Sequence, residues 1–204
     1  MALSNYTDLV TSVANWMNRT DLGSVIPDFV TIAESRIAKD LRLRNQLTSG
    51  TLTTSTTSRA VSLPSGFLEF ASVNIDGTPA TICTYITAEH LDAKFPADSY
   101  SGRPAYYTTQ GDQVLFGPSP DAAYTVNVDY FTRFPALASN ATNWLLTNHP
   151  NIYLSACMAQ GCLFTMNREG AGEWNAVYKT EVAELQKDDD KATHSGSVLR
   201  VKNA

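Results

Sequence analysis

The stretch PNIYLSACMAQGCLFTMN, residues 150–167, contains no charged residue. Read at helical period, Ile152, Ala156, Ala159, Leu163 and Met166 share one face, while Leu154, Cys157, Met158, Cys162 and Phe164 cover most of the remainder. A helix that is apolar nearly all round must be covered on several sides, so other segments have to pack against it. It falls short of the ~20 apolar residues of a membrane span. The spacing therefore predicts a buried central helix in a helical layer, and no membrane partner.

Three other segments have the periodicity to supply the cover. In residues 6–17, Leu9, Val10, Val13, Trp16 and Met17 recur at helical spacing, with Ser4 or Asn5 placed to cap the start. In SVIPDFVTIAESRIAKDLRLR, residues 24–44, the stripe is Phe29, Val30, Ala33, Ile37 and Leu41, with Pro27 and Asp28 suited to the first turn. Asp40 and Arg44 stand at i and i+4, which predicts a helix reaching about Arg44. Beyond Gly170, the residues Trp174, Val177, Tyr178, Val182 and Leu185 form a last stripe, and GAG at 170–172 is expected to separate it from the central helix. Asp188, Asp189 and Asp190 load its negative end with negative charge, so it is expected to fray there. Trp144, Leu145 and Leu146 read as an apolar plug in the loop before the central helix.

From Thr48 the texture changes to Thr and Ser, which favour strand over helix. Residues 50–56 and 59–63 read as a hairpin, marginal alone and in need of a neighbouring sheet or subunit. Phe67, Leu68 and Phe70 read as a buried anchor, followed by two strands around Asp76 and Gly77. Residues 87–95 read as a short helix capped by Thr87 and stopped by Pro96. A second hairpin joins 105–110 to 113–116, and Tyr124, Val126, Val128 and Tyr130 alternate with polar residues as a half-buried strand. Runs of helix, strand and helix predict an α+β fold. It is expected as a helical bundle of about four helices (residues 1–47 and 142–192) with an inserted antiparallel β module (48–134) and an extended C-terminal tail (193–204).

A chain of 204 residues with 43% apolar content can bury a substantial core. Charged residues make up only 17%, which leaves much of the surface to Thr, Ser and Asn and favours surfaces that meet partners. A net charge of -5 argues against a reader that grips nucleic-acid phosphates. Cys83, Cys157 and Cys162 are an odd, sparse set, and the last two fall on different helix faces, which suits apolar fillers better than a disulfide or metal site. The start, MALSNYTDLV, shows no signal peptide, which points to synthesis in a reducing cytoplasm.

Reactive constellations are missing from the pattern. His90, His149 and His194 have no metal-ligand spacing and read as surface or capping residues. Ser119 in GPSPD lies between prolines, as in a turn, and GAG lacks the Lys and Ser or Thr of a phosphate loop. Asp188 to Asp190 would attract a divalent cation, but consecutive helical residues point different ways. Tyr106, Tyr107 and Phe116 have rings that can stack on sugars or bases, yet alternate strand positions more often serve a core. No catalytic residue, cofactor or metal ligand is predicted, and the expectation is a protein that is not an enzyme.

Four blocks carry a family resemblance when taken together. They are YTDLVTSVANWMNRTDLGSVIPDFVTIAESRIAKDLRLRNQ (6–46), VSLPSGFLEF (61–70), GRPAYYTTQGDQVLFGPSPDAAYTVNVDYF (102–131) and TNWLLTNHPNIYLSACMAQGCLFTMNREGAGEWNAVYKTEVAELQ (142–186). In this order they resemble the head-to-tail adaptor proteins of short-tailed bacteriophages, over nearly the whole chain short of its tail. The resemblance implies a structural virion protein of the neck, assembled in the host cytoplasm. It implies a homo-oligomeric ring, commonly of twelve copies, under the portal protein, carrying the tail nozzle protein and often the tail fibres. DNA would pass through the lumen without sequence-specific binding. In such adaptors a terminal segment often docks on the portal, and Ser197, Val198, Leu199, Arg200 and Val201 have the alternation needed to add a strand to a sheet edge. The alternative reading is a standalone, for example carbohydrate-binding, module with helical support.

Overall fold

A computed structural model of the chain describes residues 3–96 and 100–194. They divide into two compact units: residues up to Asn45 together with those from Phe134 onward form one, and Gln46–Arg133 the other. The first unit holds helices α1 (Tyr6–Trp16), α2 (Ile26–Asp40), α4 (Trp144–Asn148), α5 (Pro150–Phe164) and α6 (Arg168–His194), and α3 (Ala88–Lys94) belongs to the second.

In α1, Asn5 is the cap: its Oδ1 accepts from the Asp8 N–H at 2.9 Å, and the Asp8 carboxylate accepts from Ser4 Oγ at 2.6 Å. One orphan donor of the first turn is thereby satisfied and a negative charge sits at the positive helix end. Helix α2 buries Ile26, Phe29, Val30, Ala33 and Ile37. It ends at Asp40, short of the predicted Arg44, because Leu41 turns extended (φ -108°, ψ 134°). That turn puts Leu41 and Leu43 both in the core, 0% and 1% exposed, which a continuing helix would not do for residues two apart. The Arg42 guanidinium supplies donors to the carbonyls of Ala38 and Leu41, at 2.8 and 2.7 Å. Asp40 consequently never meets Arg44, and instead lies 3.4 Å from Arg36 and accepts from the Tyr178 hydroxyl at 2.9 Å.

Helix α5 is buried continuously from Ile152 to Ala159 and packs against α1, α2, α4 and α6. Gly161 lets α1 close in, since a Cβ there would run into the Met17 sulfur. The last turn departs from the sequence expectation: Leu163, Phe164 and Met166 are 51%, 52% and 83% exposed. Met166 takes a left-handed conformation (φ 60°), and the Asn167 N–H bonds back to the Cys162 carbonyl at 2.9 Å, which turns the chain into α6. Asn167 then caps α6, accepting from the Gly170 N–H at 3.0 Å. The GAG stretch therefore lies inside α6 and separates nothing.

The second unit contains a four-stranded sheet in the order β1 (Leu47–Thr53), β10 (Thr125–Thr132), β3 (Phe67–Ile75), β4 (Thr81–Ile82). A second four-stranded sheet runs β2 (Ala60–Ser62), β8 (Gln113–Gly117), β7 (Tyr106–Gln110), β5 (Thr84–Tyr85), and β6 (Ser101–Gly102) pairs with β9 (Ser119–Pro120). Val73, Ile75, Cys83, Tyr107, Val114, Phe116, Val126 and Val128 fill the core of this unit. The expected hairpin of residues 50–56 and 59–63 does not form: β1 pairs with β10 and β2 with β8, and only a Ser55–Ser58 bridge links the two stretches. Two Thr- and Ser-rich strands paired together bury little, whereas β10 and β8 each bring buried side chains to the ladder. Phe67 and Phe70 are half-buried in β3, with ring centroids 4.5 Å apart, where a buried anchor was expected.

The expected bundle of about four helices is overturned, whereas a mixed α+β fold with mainly antiparallel sheets is observed. Six α-helices occur among the described residues, and the four that pack on α5 surround it. A bundle asks each helix for one apolar stripe facing a shared axis. With no polar side, α5 occupies the place of that axis itself. The strand unit, in turn, is not purely antiparallel, since β5 pairs with β7, and β6 with β9, in parallel.

Candidate functional site

The residues predicted to dock, Ser197, Val198, Leu199, Arg200 and Val201, lie outside the described residues, which end at His194 in α6. The run Asp188–Asp190 stays helical where fraying was expected. Arg44 accounts for this: its N–H donates to Asp189 Oδ2 at 3.0 Å and its Nε to Oδ1 at 2.8 Å. Lys191 Nζ lies 2.8 Å from Asp188 Oδ1, one turn along the helix, and its hydrogen bond, helped by its charge, holds the Asp188 carboxyl below the usual range. Two of the three carboxylates are thus matched by cations, which offsets the unfavourable dipole contact. Beside them opens a cleft of about 320 Å³ lined by Arg44, Trp144, His149, Glu181 and Glu184. Among the described residues no three His, Cys, Asp or Glu side chains are grouped as a metal site.

His90 and His149 serve as local supports. His90 Nδ1 lies 3.1 Å from Thr87 Oγ1 at the start of α3, and His149 joins α4 to α5 beside the Trp144 ring. Cys83, Cys157 and Cys162 are all free and buried, and burial pushes the Cys157 thiol up to about 12 and that of Cys83 to about 11. Such thiols are poor nucleophiles. Phe116 and Tyr107 belong to the strand core, and Lys94 Nζ covers the Tyr106 ring at 3.7 Å. The buried Phe116 and Tyr107 rings present no open stacking face. Ser119 lies in β9, not in a turn.

What remains exposed is suited to contact with other proteins. At the end of α5, Leu163, Phe164 and Met166 emerge, and Phe164 leans on Phe29 with 5.6 Å between centroids. Trp16, 59% exposed, meets Trp174 edge-on at 5.5 Å. An apolar cluster of this kind on a single copy marks a surface that gains by being covered. Sequence reasoning placed Leu163 and Met166 in the core, whereas they are 51% and 83% exposed. In the strand unit, β1 has a neighbour on one side only. Its Ser49 hydroxyl donates to Asp129 Oδ1 at 2.6 Å, and Ser72 donates to Oδ2 at 2.7 Å. These donors hold the Asp129 carboxyl below the usual carboxylate range.

No helix among the described residues is long and apolar enough to cross a membrane. No curated protein matches the chain. The family model of the SU10 adaptor protein matches residues 4–201, almost end to end. That match agrees with the four sequence blocks and spans both compact units. The chain therefore belongs to the SU10 adaptor protein family, named for the adaptor of a short-tailed phage.

Proposed function

We propose that this chain is the head-to-tail adaptor of a short-tailed phage particle, a ring of twelve copies seated between the portal protein and the tail nozzle. The family match over residues 4–201 carries this reading. Three features support it. Uncovered apolar side chains end α5, β1 offers an unpaired edge, and the net charge of -5 suits a channel through which DNA passes without being held. A closed ring needs two different patches on each copy that match one another, and the helical and strand units offer surfaces of unlike chemistry. The adaptor works by fit and performs no reaction. It is a component of the virion neck, assembled in the host cytoplasm, with residues 197–201 docking on the portal and the tail fibres as further partners.

Electron micrographs of the purified chain mixed with its portal provide the test. A twelve-fold ring on the portal's tail-facing side is the expected result. Portals that stay bare at saturating protein would end the proposal.

A further inference from the structure

Most sheet edges among the described residues are short: β2, β4 and β5 have two or three residues each, whereas β1 has seven. Its sequence, LTSGTLT, has no charge and no proline, and its register with β10 runs unbroken from Leu47–Phe131 to Thr53–Thr125. Charges, prolines and bulges are the usual protections of an open edge, and β1 has none of them. The Thr54 N–H donates to the Tyr124 carbonyl, which fixes the alternation along the ladder. Leu52, Gly50 and Thr48 then bond to β10, and the N–H and C=O groups of Thr53, Thr51 and Ser49 point to the open side. All three residues are exposed.

We propose that the free edge of β1 seats residues 197–201 of a second copy of this chain as an added strand. Taking the donor from a second copy rests on the ring reading above, since a ring contact joins unlike patches. Sequence and charge select the donor. SGSVLRVKNA, residues 195–204, carries Arg200 and Lys202 and no acidic side chain, in a chain of net charge -5. Leu199, Arg200 and Val201 alternate as the two faces of β1 do, with Val198 on the face of Arg200. Leu52 packs on the strand core, so Leu199 and Val201 extend that apolar face. Ser49 bonds Asp129 on the other face, where Arg200 falls. Two strand spacings separate a strand added to β1 from β10, about 10 Å, which an arginine side chain spans to reach Asp129. A strand has two hydrogen-bonding edges, so the seated segment still presents one to a portal sheet.

Two variants test this without a portal. A protein lacking residues 195–204 keeps the acceptor edge, and full-length Thr51→Pro keeps the donor while losing an outward N–H where an edge strand tolerates proline. Mixed at high concentration, the two should cross-link as pairs, while neither does so alone. A synthetic SGSVLRVKNA peptide should slow hydrogen exchange at the Ser49, Thr51 and Thr53 amides of the tail-less protein by about tenfold or more, a readout that stands even if Thr51→Pro fails to fold. Unchanged exchange at these amides overturns the seat. Protection by the peptide with no pairing between folded variants overturns the second copy as donor. A ring on the portal built by protein whose amides ignore the peptide would sink this inference alone, whereas protection and pairing with bare portals would sink the ring alone.

Discussion

Asn143 donates its Nδ2 hydrogens to the Tyr153 hydroxyl at 2.8 Å and to the Pro135 carbonyl at 2.9 Å, while its Oδ1 accepts from the Leu146 N–H at 2.9 Å. One buried amide thus caps α4, ties down the chain that enters the helical unit and satisfies the hydroxyl of a tyrosine that is 1% exposed. Asn143→Ala should cost about 2–4 kcal/mol, the sum of a lost cap and an unpaired buried hydroxyl. Tyr153→Phe should cost about 1 kcal/mol, since the amide keeps its other partners. Denaturant unfolding of both variants checks the difference. Equal costs would mean that the cap carries no weight.

Arg44 and Asp189 should govern how far α6 persists. Asp189→Ala removes the acceptor of two donors and is expected to lower stability by about 0.5–1 kcal/mol, because the pair is partly exposed. The sharper sign is local: amide exchange should accelerate after Lys187 and remain unchanged near Tyr178. Uniform exchange along α6 would show that the pair does not hold its end.

Glu34 is half-buried, and loss of hydration raises its carboxyl above the usual range, although the Leu137 N–H donates to it at 2.7 Å. Ionising this group therefore costs more in the folded than in the unfolded chain, so its contribution to stability falls as pH rises from the ordinary carboxylate range through the raised value. Glu34→Gln keeps an acceptor for Leu137 and removes the charge. The variant should melt higher than the parent at pH 7 and lose that advantage at pH 4. Asp129 and Asp188 shift the other way, but both proteins contain them, so they cancel in the comparison.

Met166 combines a left-handed backbone with 83% exposure. Glycine suits that backbone better, so Met166→Gly should stabilise the isolated protein by about 1 kcal/mol. The same change removes an apolar group from the proposed contact surface. Thermal melts should rise while binding to the portal weakens. Unaltered binding would take the end of α5 out of the interface.

Several local decisions were legible because they depend on neighbours in sequence. Asn5 and Thr87 cap helices where their short polar side chains and the following periodicity said they should. Gly111 and Asp112 turn one strand onto the next, and β7 meets β8 in the expected hairpin. The family resemblance was carried by the order of four packing blocks, and the family match follows the same span. The docking role proposed for residues 197–201 rests on their sequence alone, since they lie outside the described residues.

The uncharged, apolar run determined that residues 150–164 would form a helix hidden from water over most of its length, because burial of apolar surface has no preferred direction and an uncharged helix has no face to leave out. Whether Leu163 and Met166 would be covered depended on where the surrounding helices stop. The end of α2 at Asp40, the tie from Arg44 to Asp189 and the pairing of β1 with β10 are likewise choices between partners distant in sequence. Local pattern states what a segment needs to bury or bond. Only the assembled structure, by comparing every available partner at once, decides which one it gets.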